Sequence, residues 1–182
     1  DLPASLQDRA VEPGDFAYAK VRSGAMRGGS PGLVLQPRTV DEVVDAVAVA
    51  RAHPHVPFGI RSGGHGISGR STNDGGLVIA VGALDAIEVV DEGERTVRIG
   101  PGARWRDVAA ALAPHGWAIS SGDYGGVGVG GLATAGGVGY LAREHGLTID
   151  AIVGAEVVLA DGSVVRTSAT DRPDLLWAIR GA

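Results

Sequence analysis

The sequence predicts an α+β fold, in which short strands alternate with amphipathic helices and glycine-rich loops. Three observations predict it. Apolar residues recur at helical spacing after a capping signal at Thr39, short apolar runs flank that helix, and Asp161-Gly162 joins two later apolar runs as a hairpin. A mixed α/β sandwich, with its glycine loops gathered on one side, fits the same pattern.

The first 30 residues are polar and rich in turn-forming residues, with no convincing period. We expect residues 1–30 to wrap around the domain, and the domain itself to occupy 31–182. Leu33–Leu35 is the first predicted strand, and it ends before Pro37 because proline cannot donate to a strand ladder.

The first long helix is predicted over 40–53. Thr39-Val-Asp-Glu42 has the pattern of a capping box, in which Thr39 caps the helix and the Glu42 carboxylate reaches back. The apolar face is formed by four valines, namely Val40, Val43, Val44 and Val47. Pro54 and Pro57 end the helix, and a strand over 56–60 completes a strand–helix–strand unit.

The remaining elements follow from apolar runs bounded by turn residues. Strands are predicted at 77–81, 87–90, 96–99, 117–119, 155–160 and 163–167, and helices at 105–112 and 174–179.

Charge and composition exclude several classes of protein. The net charge of −5 and the absence of a basic patch argue against binding to nucleic acid or to an anionic membrane surface. No apolar run is long enough for a membrane span, so we expect a cytoplasmic protein, with secretion open if a signal peptide has been removed. The chain has no cysteine, which excludes disulfides, thiolate metal sites and cysteine nucleophiles, and we expect no metal site.

Glycine is more than twice as frequent as usual and falls in three clusters, at 24–32, 63–76 and 122–139. In the second cluster, "IRSGGHGISG" (60–69) places His65 among glycines just after a predicted strand. Exposed N–H groups of such a turn form a nest that binds anions, phosphate above all. A phosphate cradle, to which Ser62 and Ser68 would add hydroxyl donors, and a plain surface turn are both open.

The third cluster contains the pattern G-x-G-x-x-G at Gly126, Gly128 and Gly131. A Rossmann fingerprint requires a helix that opens at the third glycine. The glycines at 136, 137 and 139 oppose such a helix, because each costs roughly 1 kcal/mol relative to alanine. We therefore interpret the cluster as backbone lying flat against a planar ligand.

Taken together, five stretches resemble the FAD-binding (PCMH-type) domain of the vanillyl-alcohol oxidase superfamily, and within it the berberine-bridge-enzyme-like oxidases. They occur in the family's order: "PGLVLQPRTVDEVVDAVAVAR", "RSGGHGISG", "GVGVGGLATAGGVGYLAREHGLTID", "EVVLADGSVV" and "DLLWAIRG". The resemblance implies two α/β subdomains with the cofactor between them. It also implies that a C-terminal substrate domain is missing from this chain.

The resemblance assigns the loop residues to FAD. The main chain of the first loop would wrap the pyrophosphate, and His65 matches the histidine that is bonded to the flavin 8α-methyl group. A histidine that only hydrogen-bonds the cofactor is the alternative. The implied cofactor-binding residues are Arg61, Ser62, Gly63, Gly64, His65, Gly66, Gly122, Asp123, Val127, Gly128, Gly130, Gly131, Gly137, Gly139 and Val153.

Tyr124 stands where many relatives carry a cysteine that forms a second bond to the flavin. Because the chain has no cysteine, that second, cysteinyl link cannot form here. Val127 matches the small residue near the flavin's oxygen-reactive carbon, as in oxidases, although ordinary packing explains a valine equally well.

The function that the resemblance implies is that of an FAD-linked oxidase. Hydride would pass from a small-molecule substrate carbon bearing oxygen or nitrogen to the flavin, and dioxygen would reoxidise it to give hydrogen peroxide. No catalytic base can be named in this chain. A dehydrogenase of the same superfamily and a non-catalytic module that has lost FAD are the alternatives.

Overall fold

The computed structural model describes residues 2–181, and the chain separates into two compact units. The first contains the residues up to Leu84 together with Val158–Val165, and the second contains Asp85–Val157 together with the residues from Arg166 onward. Both units mix helix and strand. None of the helices among residues 2–181 has the length and apolar content that a bilayer-spanning helix requires.

The first unit is built on a four-stranded sheet. Its elements are α1 (Ala4–Gln7), β1 (Ala10–Val11), α2 (Tyr18–Val21), β2 (Leu33–Leu35), α3 (Val40–Ala52), β3 (Phe58–Arg61) and β4 (Leu77–Ala80). The strand order is β1-β2-β4-β3, with β2 and β3 parallel to β4 and β1 antiparallel to β2. The strand–helix–strand unit is present, but β4 lies between its two strands.

The N-terminal segment is more ordered than its composition indicates. Strand β1 pairs with β2, and Leu6 is fully buried in the same apolar cluster as Leu35 and Ile79. Residues 1–30 therefore contribute to the sheet and the core, besides any wrapping role, which stays a prediction.

Helix α3 begins as the capping signal predicts. Thr39 Oγ1 accepts a hydrogen bond from the Glu42 N–H at 3.1 Å. The Glu42 carboxylate accepts from the Arg38 N–H at 2.6 Å, not from the Thr39 N–H as a capping box requires. That bond, and then the Arg9 guanidinium, lower the pKa of Glu42.

The face of α3 that meets the sheet differs from the predicted one. Ala46 is fully buried, and Val47, Val49 and Ala50 pack against the same cluster, whereas Val40, Val43 and Val44 remain outside it. The buried stripe is therefore centred on Ala46, and Val40, Val43 and Val44 lie outside the cluster.

Removal of the helix cap is expected to destabilise the first unit. Thr39→Ala should lower the free energy of unfolding by about 1 kcal/mol, because the Glu42 N–H loses its acceptor. Urea denaturation followed by circular dichroism measures this, and Thr39→Ser, which keeps the hydroxyl, serves as the control. Equal midpoints for Thr39→Ala and the wild type would show that the cap contributes nothing.

The second unit contains two hairpins and a small helical core. Its elements are β5 (Ile87–Asp91), β6 (Thr96–Ile99), α4 (Trp105–Leu112), α5 (Val129–Ala133), α6 (Ala142–His145), β7 (Gly154–Val158), β8 (Val164–Ser168) and α7 (Pro173–Ile179). The tip of the β7–β8 hairpin, Val158–Val165, belongs to the first unit. Ala103, Trp105, Val108, Leu112 and Val129 form the buried cluster.

Most predicted elements of the second unit are present within two residues of their expected ends. The exception is the strand predicted at 117–119, where the chain has no regular secondary structure. Its two large side chains, Trp117 and Ile119, pack against the helical core instead. The apolar run therefore reflects burial against α4 and not membership of a sheet.

Candidate functional site

The His65 loop leaves the sheet at the carboxyl end of β3, which is where parallel strands present ligand-binding loops. Gly64 is buried and has φ +69°, a left-handed conformation that favours glycine. Its carbonyl accepts a hydrogen bond from the Ala25 N–H at 2.8 Å. His65 itself is half-buried, and Gly66 is exposed.

Three backbone donors in this loop have no hydrogen-bond acceptor among residues 2–181. The N–H groups of Gly63, Gly64 and Gly66 donate no hydrogen bond to any residue in the described range 2–181. Buried backbone donors are almost always paired in folded proteins, so the N–H of the buried Gly64 is available to a bound acceptor. A cluster of such donors fits an anion such as a pyrophosphate.

Arg61 has a structural role within the first unit. Its side chain is buried, and its guanidinium donates to the carbonyl oxygens of Val21 and Ser23. The aliphatic stem passes beneath Gly64, since a Cβ built on that glycine would lie 3.2 Å from Arg61 Cδ. We therefore expect any contact between Arg61 and the cofactor to come from the main chain of Arg61 and not from its guanidinium.

The second glycine loop is anchored to the start of α4. Trp105 N–H donates to the Val127 carbonyl at 3.2 Å, and Arg106 N–H donates to the Gly125 carbonyl at 3.0 Å. The N–H groups of Gly122 and Gly128 have no hydrogen-bond partner within residues 2–181. Gly128 caps the short helix α5, which ends at Ala133, so no long Rossmann-type helix opens at Gly131, as the glycine content predicts.

Several glycines of this loop are required by the protein's own packing. A Cβ on Gly139 would lie 1.6 Å from the Ser121 carbonyl oxygen, and one on Gly137 would lie 2.2 Å from Thr148 Oγ1. The contacts are looser at Gly122, where a Cβ would lie 2.9 Å from Leu132 Cδ1, and at Gly130, where it would lie 3.0 Å from Pro101. Gly137 and Gly139 therefore have a structural reason that does not depend on a ligand, and at Gly122 and Gly130 a side chain would require a small shift of its neighbour.

Gly131 and Gly66 differ from these four. Among the described residues, a Cβ at Gly131 would have no neighbour within 4 Å, and one at Gly66 would meet only the Ser68 hydroxyl at 3.9 Å. Neither residue has a positive φ. The fold would therefore accept a side chain at both positions, and close approach of a ligand is a sufficient reason for glycine there.

The three remaining predicted residues of the second unit, Val127, Asp123 and Val153, differ in how far they are buried. Val127 packs against the helical core, which is the ordinary packing role that its residue type allows. Asp123 is exposed, and Val153 is 66% exposed on the chain that leads into β7. Their contacts with a cofactor stay predictions.

The predicted residues thus form two groups, Arg61–Gly66 in the first unit and Gly122–Val153 in the second. Sequence reasoning missed the residues that hold the first group, which are Gly24, Ala25 and Arg27. The glycine cluster at 24–32 was the available signal, because clustered glycines mark close backbone approach.

Comparison with known proteins gives a consistent result. A family model described as an FAD binding domain matches residues 31–168. The chain is 35% identical over 182 residues to (R)-6-hydroxynicotine oxidase of Paenarthrobacter nicotinovorans, covering 99% of this chain and 39% of that protein. It is 41% identical over 155 residues to a chitooligosaccharide oxidase of Gibberella zeae, covering 84% of this chain and 31% of that protein.

Solved structures share the fold. The 6-hydroxy-D-nicotine oxidase of Arthrobacter nicotinovorans superposes with a TM-score of 0.91 at 34% identity, over 99% of this chain and 40% of that one. A glucooligosaccharide oxidase of Acremonium strictum, described as carrying 6-S-cysteinyl, 8α-N1-histidyl FAD, gives 0.85 at 32% identity, over 94% and 37%.

These matches confirm the α+β, PCMH-type fold class and the expected cofactor class. The chain spans less than half the length of the relatives that it matches. It corresponds to their FAD-binding part. The chain belongs to the FAD-binding domain family, as found in the berberine-bridge-enzyme-like, FAD-linked oxidases of the vanillyl-alcohol oxidase superfamily.

Proposed function

We propose that the complete protein carrying this chain is an FAD-linked oxidase in which His65 is bonded to the flavin. The observation that carries the proposal is the His65 loop, where an imidazole lies among glycine N–H groups that have no partner within residues 2–181. Gly64 distinguishes this loop from a surface turn, because it is buried, whereas the donors of an exposed turn bond to water.

The first loop would hold the pyrophosphate through the N–H groups of Gly63, Gly64 and Gly66. Backbone N–H groups can bind a pyrophosphate without a lysine or arginine side chain. Such binding is compatible with the net charge of −5. In the second unit, the main chain at Gly122, Gly128 and Gly131 would lie along the flavin ring. When bound, FAD would accept a hydride from the substrate and pass the electrons to dioxygen.

His65 would form one carbon–nitrogen bond to the flavin 8α-carbon. One hydrogen leaves the imidazole nitrogen and one leaves the 8α-methyl group, and dioxygen takes both with two electrons to give hydrogen peroxide. The histidyl linkage described for the glucooligosaccharide oxidase supports this assignment. The cysteinyl linkage of that protein has no counterpart, because this chain contains no cysteine.

The substrate would be a small molecule oxidised at a carbon that bears oxygen or nitrogen. Relatives include oxidases named for hydroxynicotine and for oligosaccharides. Since this chain corresponds to under half of their length, a separate substrate domain of the complete protein would supply the pocket and the catalytic base.

The test uses the complete protein, purified with its flavin. After acid precipitation the yellow colour should stay with the polypeptide, and after anaerobic photoreduction the flavin should reoxidise rapidly in air with one hydrogen peroxide formed per flavin. Slow reoxidation in air would favour the dehydrogenase alternative. A protein that neither contains nor takes up FAD would overturn the proposal and favour the non-catalytic module.

A further inference from the structure

We propose that residues 22–30, termed here the N-terminal clamp, set the position of the His65 loop for attachment to the flavin. The inference rests on the proposed function, since it concerns how His65 reaches the 8α-carbon. It assigns a positioning role to a segment that contains none of the predicted cofactor-binding residues.

The clamp forms hydrogen bonds with the loop on both sides of His65. On one side, Ala25 N–H donates to the Gly64 carbonyl at 2.8 Å. On the other side, Arg27 Nε donates to the Ile67 carbonyl at 2.7 Å. His65 therefore lies on a short span of backbone whose two ends are tied to the same three residues of the clamp.

These two bonds also set the orientation of the loop. In a planar trans peptide the N–H points opposite to the C=O of the same peptide unit. Because the Gly64 and Ile67 carbonyls face the clamp, the N–H groups of His65 and Ser68 face away from it. The clamp thus fixes the orientation of the two peptide units that flank His65 and Ile67, and with them the path of the backbone that carries the imidazole.

Close contact between the two backbones depends on glycine in the clamp. A Cβ on Gly24 would lie 2.6 Å from the Gly64 carbonyl oxygen, and one on Gly29 would lie 2.1 Å from Thr72 Oγ1. Neither glycine has a positive φ, so their role is to allow this approach and not to form a turn. Gly28, by contrast, has no atom within 4 Å of its Cβ position.

The far end of the loop is tied to the clamp as well. Thr72 Oγ1 donates to the Arg22 carbonyl at 2.6 Å, and Ser30 N–H donates to the Asp74 carboxylate at 2.9 Å. The Ser30 hydroxyl donates to the same carboxylate, and these bonds lower the pKa of Asp74. Gly66, Ile67 and Ser68 are exposed, and the clamp holds the chain around them through hydrogen bonds at Gly64, Ile67, Thr72 and Asp74.

The test compares variants of the complete apoprotein during reconstitution with FAD. Gly24→Ala introduces a side chain against Gly64, Arg27→Met removes the donor to Ile67, and Gly28→Ala is the matched glycine control. Three quantities are measured: the rate of covalent incorporation by flavin fluorescence in a denaturing gel, the Kd for FAD before the bond forms, and the melting temperature without FAD.

Gly24→Ala and Arg27→Met are expected to slow covalent incorporation at saturating FAD at least tenfold. Gly28→Ala should match the wild type, and Arg27→Lys, which keeps a donor, should restore most of the rate. Because Arg27 is exposed, Arg27→Met should melt near the wild-type temperature and remain informative if Gly24→Ala fails to fold. A wild-type rate in Arg27→Met, or equal slowing in Gly28→Ala, would overturn the clamp.

A wild type that releases all its flavin on denaturation would instead contradict the covalent part of the proposed function. In that case the Kd for FAD tests whether the clamp positions the His65 loop. Binding at least tenfold weaker in Arg27→Met than in Gly28→Ala would support it, and equal Kd values would overturn it.

Discussion

Replacing His65 with alanine is expected to convert tightly retained flavin into flavin that denaturation releases completely. The loop N–H groups that would hold the pyrophosphate belong to the backbone, so FAD should still bind to His65→Ala. The bond to the 8α-carbon needs a ring nitrogen at this position, and alanine provides none. Acid precipitation of the variant should therefore give a colourless pellet and a yellow supernatant, against a yellow pellet for the wild type.

His55→Ala is the matched control for the histidine experiment. His55 is exposed and precedes β3, outside the glycine loop, so its removal should leave the coloured pellet unchanged. Flavin retained on the His65→Ala polypeptide would place the linkage elsewhere and would contradict the assignment of His65. Loss of the bond should also lower the flavin's redox potential, which is measurable by dye equilibration.

Among residues 2–181, the three longest helices, α3, α4 and α7, were predictable from the spacing of their apolar residues, whereas the four short helices were not. The spacing of Val108 and Leu112, with Trp105 before them, fixes one apolar face, and α4 has the predicted bounds Trp105–Leu112. Strand order was not predictable in the same way. β4 lies between β2 and β3 and pairs with both in parallel. Such pairing joins residues that are far apart in the chain, so local patterns in the sequence do not predict it.

The candidate site was predictable as a pattern but not as a set of contacts. The "SGGHG" stretch indicates an anion-binding turn with a histidine, and the structure leaves N–H groups there without partners in the described range. The clamp on that turn comes from a segment some 40 residues earlier, where Arg27 reaches the Ile67 carbonyl. No local spacing rule reports a contact between two irregular segments.

A glycine can be required by close packing within the protein or by close approach of a ligand, and a single sequence does not distinguish the two. Gly139 and Gly131 were both interpreted as sites of approach to the flavin. In the structure Gly139 is tightly packed against the protein's own backbone, whereas Gly131 faces open space. The difference depends on what lies beside each Cα, and that is a property of the folded chain.

This difference gives the last prediction. Gly139→Ala should lower the free energy of unfolding by about 3 kcal/mol or more, because its Cβ would lie 1.6 Å from the Ser121 carbonyl oxygen and backbone atoms cannot move aside cheaply. Native proteins are stable by only about 5–15 kcal/mol, so much of the variant should be lost on expression. Urea denaturation of the apoprotein measures the change.

Gly131→Ala is the control for the effect of Gly139→Ala on stability. Its Cβ meets no atom within 4 Å, and the residue lies inside α5, where alanine is favoured over glycine by roughly 0.5–1 kcal/mol. The apoprotein should thus be as stable as the wild type or more stable. If Gly131 lies against the flavin, the same variant should bind FAD about tenfold more weakly, which corresponds to about 1.4 kcal/mol. Wild-type stability in Gly139→Ala would contradict the packing argument, and wild-type FAD affinity in Gly131→Ala would remove Gly131 from the site.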